Sequence, residues 1–434
     1  MRSERETPVV GIIAEYNPFH QGHAYQIEQI RSRYPEAAIV VALSGSFTQR
    51  GEPAILDKWT RAEIAVRGGA NLVLELPYVF ACRSADFFAL GGVRLLAGLV
   101  DVLAFGAEET ELARLEVAAW QIDSVGFQQK LHVKIAGGLS YATALSRILS
   151  DEGLPPRFLH QPNNILAVAY LRAIAREHEP MRPLLIPRQG AGYHELGIKK
   201  GASAQGIRSF LQICQKEQPD EMDKQKLLAE LKDTMPLHSL RAVARAFPNL
   251  PDNERLFRTL CTLLWTQSAE ELRAIAGMNE GLEHRLATAS HRADSCQSLI
   301  DAVSTSRYAK SRIARLLSHI VLHFMQEQAD AFAVSGPLYR RVLAFDERGR
   351  ALLHKSKTKA RLPIISKVGT FLKSKERYRR EHLTPLQQML ALDTLATELR
   401  ELMLPQPQFS KRDFLLSPRS ISKKSEWRAV RSQS

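Results

Sequence analysis

The stretch from Val9 to His23 constrains the fold most, because it joins an apolar strand to a helix through one short polar turn. Val9–Ala14 is rich in β-branched residues and predicts a buried strand. Pro18 restricts Asn17 to an extended or turning conformation, so the strand ends before this pair. His20-Gln21-Gly22-His23 then opens an amphipathic helix.

Two histidines three positions apart at a helix start share one face of its first turn, and we expect this of His20 and His23. The N–H groups of that turn have no partner inside the helix, so we expect them to face outward and bind phosphate. Gly22 allows a ligand to approach the backbone closely. Imidazoles placed in this way would donate hydrogen bonds to an α-phosphate as charge builds on it. A capped helix start with two solvated histidines is the alternative for these four residues alone.

Short apolar runs alternate with helical patterns through the first half of the chain, which predicts an α/β fold with a parallel sheet. The predicted strands are Val9–Ala14, Ala38–Leu43, Leu72–Leu76, Val102–Phe105 and Pro183–Ile186. The predicted helices are Gly22–Tyr34, Lys58–Arg67, Ser84–Ala97 and Asn164–Glu177. Ligands of such sheets bind outside the carboxyl ends of the strands, so we expect the polar segments after the strands to form one site.

The segments that follow predicted strands carry further candidates. They are Glu15–His23, Ser44–Pro53, Phe105–Glu108 and Arg188–His194. Gly106 would place its backbone against a base or a ribose, and Arg188 is a candidate for phosphate. Arg50 suits a carboxylate or a phosphate. In the next helix, Lys58 or Arg61 either neutralises phosphate or lies in a solvated first turn.

Two predicted helix starts carry further candidate ligand-binding residues. In Pro162-Asn163-Asn164 we expect one asparagine to cap the helix and the other to bind ligand, and we assign the cap to Asn164. Ala202–Arg208 opens another helix with small residues that would cradle phosphate.

The charge of the chain is uneven, which predicts two modules of different function. Residues 1–250 hold 28 Lys and Arg against 27 Asp and Glu, whereas residues 251–434 hold 31 against 19, a net charge of +12. From about Glu217 helical periodicity dominates and β-branched runs vanish. We predict a Rossmann-like catalytic domain at 1–215, a mainly α-helical basic domain at 216–405 that binds a polyanion, and a basic tail at 406–434 with a composition typical of disorder. A merely solvated basic surface is the alternative for the second module.

Composition also limits where the protein works. No apolar run is long enough to span a bilayer, and the charged residues 1–6 do not resemble a signal peptide. The cysteines lie far apart, without the spacing of metal ligands, and are typical of a reducing compartment. They are Cys82, Cys214, Cys261 and Cys296. We expect a cytoplasmic protein without a membrane segment, a resident metal or an obligate protein partner.

The motifs taken together resemble one family. These motifs are Gly-Ile-Ile-Ala-Glu-Tyr-Asn-Pro-Phe-His-Gln-Gly-His, Ser-Gly-Ser-Phe-Thr-Gln-Arg-Gly-Glu-Pro-Ala, Lys-Trp-Thr-Arg-Ala, Phe-Gly-Ala-Glu, Pro-Asn-Asn-Ile-Leu and Gly-Ala-Gly-Tyr-His. Their order from residue 8 to about 210 resembles the bacterial tRNA(Met) cytidine acetate ligases, which belong to the nucleotidyltransferase superfamily with a His-x-Gly-His motif. Gln205-Gly206 departs from the Ser/Thr-rich turn of that superfamily.

The resemblance implies an ATP-dependent ligase. Acetate would attack the α-phosphate of ATP, supplied with Mg²⁺, and the acetyl group would pass from acetyl-adenylate to N4 of the wobble cytidine of elongator tRNA(Met). His20 and His23 would be the catalytic pair. The implied ATP-binding residues are Ile13, Ala14, Glu15, Tyr16, Asn17, Pro18, Phe19, His20, Gln21, Gly22, His23, Ala24, Tyr25, Gln26, Gly106, Asn163 and Arg188. Candidate tRNA-binding residues are Lys355, Lys357, Lys359 and Arg361.

Two other classes of function use similar features. A small-molecule adenylyltransferase of the pantetheine-phosphate or nicotinate type would have the same site, but it needs no basic helical half. A non-catalytic RNA-binding protein with a relic nucleotide fold would not need both His20 and His23. The sequence therefore favours the tRNA ligase over either alternative.

Overall fold

The computed structural model describes residues 7–155, 158–177, 181–188, 202–217, 224–279, 281–356, 361–378, 382–408 and 411–422. The strands are β1 (Val9–Ala14), β2 (Ala38–Ser44), β3 (Leu72–Leu76), β4 (Val102–Ala107), β5 (Arg182–Pro187), β6 (Arg340–Phe345), β7 (Ile364–Ile365) and β8 (Arg419–Ser420). Each strand predicted from the sequence is present, with ends within two residues of the prediction. The α/β fold with a parallel sheet and a mainly helical second part is confirmed.

The strands form one sheet in the order β5-β4-β1-β2-β3-β6-β7, with β8 beside β6. Neighbours among β1 to β5 are parallel. The order β3-β2-β1-β4-β5 is that of doubly wound folds, whose ligands bind where the strand order reverses. Here the reversal lies between β1 and β4, so the polar segments after these two strands flank the expected crevice.

Helices cover the sheet and form most of the second part. They are α1 (Gln21–Arg33), α2 (Lys58–Arg67), α3 (Tyr78–Ala81), α4 (Ala85–Leu96), α5 (Leu112–Asp123), α6 (Val125–Ala136), α7 (Tyr141–Asp151), α8 (Pro162–Ala175), α9 (Ala204–Glu217), α10 (Lys224–Leu231), α11 (Leu237–Ala246), α12 (Phe257–Thr266), α13 (Ala269–Arg273), α14 (Leu282–Ser290), α15 (Cys296–Val303), α16 (Lys310–Leu322), α17 (Gln326–Ser335), α18 (Glu347–Ser356), α19 (Pro385–Leu402) and α20 (Arg412–Leu415). The four helices predicted from the sequence are α1, α2, α4 and α8. In the described part of the chain, no helix has the length and apolar character needed to cross a membrane.

Successive residues of the parallel strands face two separate cores. Val10 and Ile12 of β1 face one core, and Val9 and Ile13 face the other. Helices α1, α2 and α9 to α11 pack against the first face, whereas α4, α5, α8 and the later helices α12, α14 to α17 and α19 cover the second. Because both faces are covered, the strands appear in the sequence as continuous apolar runs.

The second part of the chain also completes the sheet, which the sequence analysis did not predict. Strand β6 pairs antiparallel with β3 and places Arg341 opposite Glu75. Arg340 and Arg341 are each only 3 % exposed. The Nε of Arg340 donates to the carbonyl oxygen of Leu95 at 2.9 Å, and Arg341 forms an ion pair with Asp413. Two adjacent arginines thus lie in a buried strand because each has a buried acceptor.

Part of the predicted tail at 406–434 is folded, which corrects that expectation for residues 411–422. Asp413 is 3 % exposed, and its carboxylate lies 2.6 Å from the Nζ of Lys58. Strand β8 pairs with β6. The basic composition suggested disorder, but one buried carboxylate between the cations of Lys58 and Arg341 fixes this segment to the sheet.

Candidate active site

The turn between β1 and α1 holds its two histidines in contact. The imidazole rings of His20 and His23 stack with centroids 3.9 Å apart and planes 28° apart. Tyr16 has a left-handed backbone with φ of 47°. Its ring packs edge-on against His23, with the ring centroids 4.8 Å apart. The amide oxygen of Asn17 accepts a hydrogen bond from the N–H of Ile55 at 2.8 Å. The predicted shared face of the two histidines is therefore present, and Asn17 orients the turn.

Hydrogen bonds assign the proton in both rings. The Nδ1 of His20 accepts from the N–H of Gly22 at 3.0 Å, and the Nδ1 of His23 accepts from the N–H of His20 at 3.2 Å. A ring nitrogen that accepts a hydrogen bond carries no proton, so a neutral imidazole must carry its proton on Nε2. Both rings therefore present an Nε2–H donor.

The surroundings keep both rings neutral. Burial, with the positive charges of Arg188 and Arg208, lowers the pKa of His20 to about 3. Burial and the neighbouring His20 and Arg188 hold the pKa of His23 well below its usual range. Fixed neutral donors suit an oxygen on which charge grows during a reaction, because they need no proton movement to act.

The expectation that free N–H groups of α1 would bind phosphate is wrong. The N–H of Gln21 donates to the carbonyl oxygen of Thr234 at 3.0 Å, and that of Gly22 donates to the ring of His20. The N–H of His23 donates to the carbonyl oxygen of His20 at 3.0 Å. The donors of the first turn are thus used inside the protein, and the histidine side chains are what this turn offers to a ligand.

Gly22 has a second role beside the expected close approach of a ligand, because it makes room for the ring of His20. A Cβ atom at this position would lie 2.8 Å from the Cε1 of His20, closer than two carbon atoms can approach. The glycine in the motif therefore allows the imidazole of His20 to fold over the helix start.

Gly106, Asn163 and Arg188, three of the predicted ATP-binding residues, lie together on the other side of the crevice. The Nη1 of Arg188 donates to the amide oxygen of Asn163 at 3.2 Å. A Cβ at Gly106 would lie 3.4 Å from the Cγ of Arg188, so the arginine side chain runs along β4. The positive charge of Arg188 also contributes to the lowered pKa values of His20 and His23, after burial.

The prediction that Asn164 caps α8 is wrong. The residue before the helix is Gln161, and Asn164 lies inside the first turn, 1 % exposed. Its amide oxygen accepts from the N–H of Glu109 at 2.9 Å, and its amide nitrogen donates to the carbonyl oxygen of Phe158 at 3.0 Å. The carboxylate of Glu108 accepts from the N–H of Asn164 at 3.1 Å and so supplies the negative charge at the helix start.

Neither proposed role of Lys58 and Arg61 is correct, because both side chains are buried inside the protein. The Nζ of Lys58 forms ion pairs with Glu75 at 2.7 Å and with Asp413 at 2.6 Å. The Nη1 of Arg61 donates to the carbonyl oxygens of Glu15 at 2.7 Å and Ser44 at 3.0 Å. Arg61 thereby joins the carboxyl ends of β1 and β2 and holds the two loops of the site side by side.

The loop after β2 is tied to the turn between β1 and α1, which we call the catalytic turn for its candidate role, and to the start of α9. The N–H of Gln49 donates to the carboxylate of Glu15 at 2.8 Å, and the Nη1 of Arg50 donates to the amide oxygen of Gln205 at 3.1 Å. Ser203 accepts from the N–H of Gly206 at 3.2 Å. The departure from the superfamily at Gln205-Gly206 thus has a role of its own, because Gln205 links α9 to this loop.

Sequence reasoning missed several residues that position the turn. Arg208 donates to the carbonyl oxygen of Asn17 at 2.9 Å and pairs with Glu52 at 3.1 Å. The hydroxyl of Ser239 donates to the carbonyl oxygen of Phe19 at 2.7 Å. The Ile-Arg that follows Gln205-Gly206 was a signal for Arg208, whereas nothing near Ser239 in the sequence points to the catalytic turn.

The other members of segment 13–26 serve mainly as framework. Ile13, Tyr16 and Phe19 are 8 %, 0 % and 1 % exposed and pack into the cores on either face of the sheet. The side chain of Gln26 reaches the carbonyl oxygen of Ala104 on β4 at 3.5 Å.

Two of the four candidate tRNA-binding residues are described, and one of them, Arg361, lies at a distance from this site. Lys355 is exposed on α18, and Arg361 is exposed just before β7, at the edge of the sheet. Four strand spacings separate β7 from β1, which is about 19 Å. Lys357 and Lys359 lie outside the described residues, as do residues 189–194 after β5.

Comparisons with known proteins agree with this architecture. The family model described as HIGH Nucleotidyl Transferase matches residues 7–413. The chain is 37 % identical over 427 residues to a tRNA(Met) cytidine acetate ligase of Syntrophotalea carbinolica, covering 95 % of this chain and 98 % of that protein. It is 35 % identical over 423 residues to one of Syntrophomonas wolfei, covering 94 % and 99 %. Among solved structures, it is similar to Thermotoga maritima TmcAL bound with alpha-thio ATP, with a TM-score of 0.82 and 28 % identity over 96 % of this chain and 100 % of that one.

Proposed function

This chain belongs to the HIGH Nucleotidyl Transferase family, and the relatives described above are tRNA(Met) cytidine acetate ligases. From that premise we propose its reaction. It is an ATP-dependent ligase that forms acetyl-adenylate from ATP and acetate. It then transfers the acetyl group to N4 of the wobble cytidine of elongator tRNA(Met).

In the first step a carboxylate oxygen of acetate attacks the α-phosphorus of ATP. The bond from that phosphorus to the bridging oxygen of the β-phosphate breaks, so acetyl-adenylate forms and diphosphate leaves. Negative charge grows on the oxygens around the α-phosphorus during this exchange. We assign the Nε2–H groups of His20 and His23 to these oxygens, because both rings are neutral and fixed by backbone N–H groups.

The nucleotide is assigned to the crevice between β1 and β4. The side chain of Arg188 runs past Gly106 on β4, and Asn163 accepts a hydrogen bond that sets the position of its guanidinium. A guanidinium binds phosphate oxygens with two parallel hydrogen bonds, so we propose Arg188 as a phosphate ligand. Arg208, which holds the carbonyl oxygen of Asn17, is the candidate cation for the acetate carboxylate.

Magnesium is proposed to enter with ATP. Mg²⁺ keeps several waters and usually binds proteins through substrate phosphates. Within the described ranges, no three His, Cys, Asp or Glu side chains lie together as a metal cluster.

In the second step the N4 amine attacks the carbonyl carbon of acetyl-adenylate. The bond from that carbon to the phosphate oxygen breaks, AMP leaves, and the amine loses one proton to solvent. We propose that the part after residue 215 binds the tRNA, with Lys355 and Arg361 among its cations. The protein is proposed to act in the cytoplasm, where tRNA and ATP are found and where its four buried cysteines, all free thiols, stay reduced.

The stacked, neutral histidine pair is the observation that carries the proposal. The test incubates the protein with ATP, acetate and elongator tRNA(Met) transcript, and measures diphosphate release and N4-acetylcytidine in the RNA. We expect acetate-dependent exchange of diphosphate into ATP without tRNA, and N4-acetylcytidine only with tRNA. His20→Ala and His23→Ala are each expected to reduce the exchange about 10²–10³-fold.

His132→Ala is the matched control, because His132 is an exposed histidine on α6. Its exchange rate is expected to equal that of the wild type. Exchange that needs no acetate, or an adenylyl group found on a small molecule instead of acetate, would favour the small-molecule adenylyltransferase. Full exchange in the double histidine variant would contradict the site.

A further inference from the structure

Helix α16 of the second part is fixed against the loop that follows β2. Gly51 has φ of 82°, and a Cβ at this position would lie 2.4 Å from the backbone nitrogen of Arg315. The Nη1 of Arg315 donates to the carbonyl oxygen of Gln49 at 3.0 Å, and the N–H of Gln49 donates to the carboxylate of Glu15. The middle of α16 is therefore joined to the catalytic turn through a single loop.

Further arginines lie close to Arg315, on α16 and on the neighbouring helix α14. Arg312 lies three residues before Arg315 on α16, so their backbones are about 4.5 Å apart along the helix axis. The guanidinium of Arg312 lies 4.9 Å from the centre of the Tyr308 ring, and Arg285 of α14 lies 5.7 Å from the same ring. Gly51 packs against the backbone of Arg315, so Arg50 lies beside the same part of α16, and burial and the positive charges of Arg312 and Arg50 lower the pKa of Arg315. We call Arg50, Arg315, Arg312 and Arg285 the arginine track.

Hydrogen bonds to neutral oxygens hold three members of the track in place. Arg315 donates to the carbonyl oxygen of Gln49, Arg312 to the amide oxygen of Asn279, and Arg285 to the carbonyl oxygen of Val303 at 3.1 Å. These bonds fix the geometry without cancelling the positive charge. A set of guanidinium groups held by uncharged acceptors forms a positive surface that favours a polyanion.

We propose that the arginine track is the surface along which the tRNA backbone reaches the acetyl-transfer site, an inference that rests on the proposed function. Phosphate contacts position a nucleic acid, and guanidinium groups are suited to them. The track begins at the loop of β2, the strand next to β1, whereas Arg361 lies just before β7, at the far edge of the sheet. The wobble cytidine must come to the adenylate beside His20 and His23, so a surface that ends there is better placed to deliver it.

The test replaces the two outer members of the track, since Arg50 and Arg315 also hold the active-site loop. Binding of elongator tRNA(Met) transcript to Arg285→Gln/Arg312→Gln is measured over a series of salt concentrations. Each lost phosphate contact is expected to reduce the slope of log K against log salt by about 0.7–0.9, and affinity at moderate salt should fall about tenfold. Acetyl transfer at low tRNA concentration should fall by the same factor, while acetate-dependent diphosphate exchange without tRNA stays at the wild-type rate.

Two further variants serve as controls. Arg285→Lys/Arg312→Lys keeps the charge and is expected to keep the wild-type salt slope. Arg348→Gln removes a guanidinium that is 49 % exposed on α18, away from the track, and is expected to change nothing.

Each other outcome would overturn the inference. A wild-type slope and affinity in the double glutamine variant would show that tRNA does not contact the track. An equal loss in Arg348→Gln would show that only total charge matters, and a parallel loss of diphosphate exchange would show that the track supports the loop rather than the RNA. If the wild-type protein binds tRNA but transfers no acetyl group, the proposed function fails, and the salt slopes still decide whether the track binds RNA.

Discussion

The two nitrogens of His20 have separate tasks, and two substitutions can separate them. Asparagine places its amide near the position of Nδ1, so His20→Asn keeps an acceptor for the N–H of Gly22, which lies 3.0 Å from Nδ1. It has no donor at the position of Nε2. Loss of one donor to a transition-state oxygen costs about 10²–10³-fold, or about 2.7–4 kcal/mol. We therefore expect His20→Asn to lose adenylate formation by that factor with little loss of stability.

Two other variants of His20 separate the loss of the donor from the loss of the acceptor. His20→Ala loses the donor and also the acceptor at the helix start, which is worth about 1 kcal/mol of stability. His20→Gln places an amide N–H near the position of Nε2 and should recover part of the rate. The assay is acetate-dependent diphosphate exchange, with urea unfolding for stability. Exchange by His20→Asn within tenfold of the wild-type rate would refute the role given to Nε2–H.

The remaining predictions concern other residues of the same site. Gly22→Ala should reduce diphosphate exchange by up to about 100-fold although it removes no donor, because its Cβ would displace the ring of His20. Arg188→Ala should weaken ATP binding in a calorimetric titration; unchanged affinity would make this arginine structural. Asn164→Ala should lower the free energy of unfolding in urea by about 2–3 kcal/mol, since its amide joins three segments in a buried position. The pKa of His20 is about 3 when folded and about 6.5 when unfolded, so the unfolded chain binds a proton first as pH falls. The free energy of unfolding that comes from keeping His20 neutral is fully present above pH 6.5. At pH 5 the free energy of unfolding should be about 2 kcal/mol lower from this group alone. Denaturation curves at pH 5 and above pH 6.5 should show this difference in the wild type and not in His20→Asn.

Local patterns were enough to predict the catalytic half of the fold. The strands β1 to β5 are apolar runs bounded by polar turns, and the start of α2 follows from Asp57, whose carboxylate accepts from the N–H of Thr60. The polar segments after β1, β4 and β5 were expected to meet because parallel strands end at one edge. The meeting of Arg188 with Asn163 follows from that rule.

Buried charge is what the sequence could not reveal. Lys58, Arg61, Arg340 and Arg341 resemble surface residues in a linear sequence, and each is buried only because an acceptor far away in the chain lies beside it. Strand β6 was missed for this reason, since its first two residues are arginines. Asp413, the partner of two of these cations, lay in a segment whose composition suggested disorder. These buried cations and their acceptors come together only in the complete fold, so no local sequence pattern predicts them.

The same long-range contacts join the two halves that the charge pattern separates. The catalytic turn is held by the carbonyl oxygen of Thr234 and the hydroxyl of Ser239, and the loop after β2 is held by Arg315. All three residues belong to the part assigned to tRNA. The edge of β3 is covered by β6 from that part as well. We therefore expect adenylate formation to depend on the part after residue 215 even in the absence of RNA, because that part completes the frame in which His20 is fixed. In the proposed reaction one frame would then serve both steps, and the acetyl group would pass to the cytidine where it is activated.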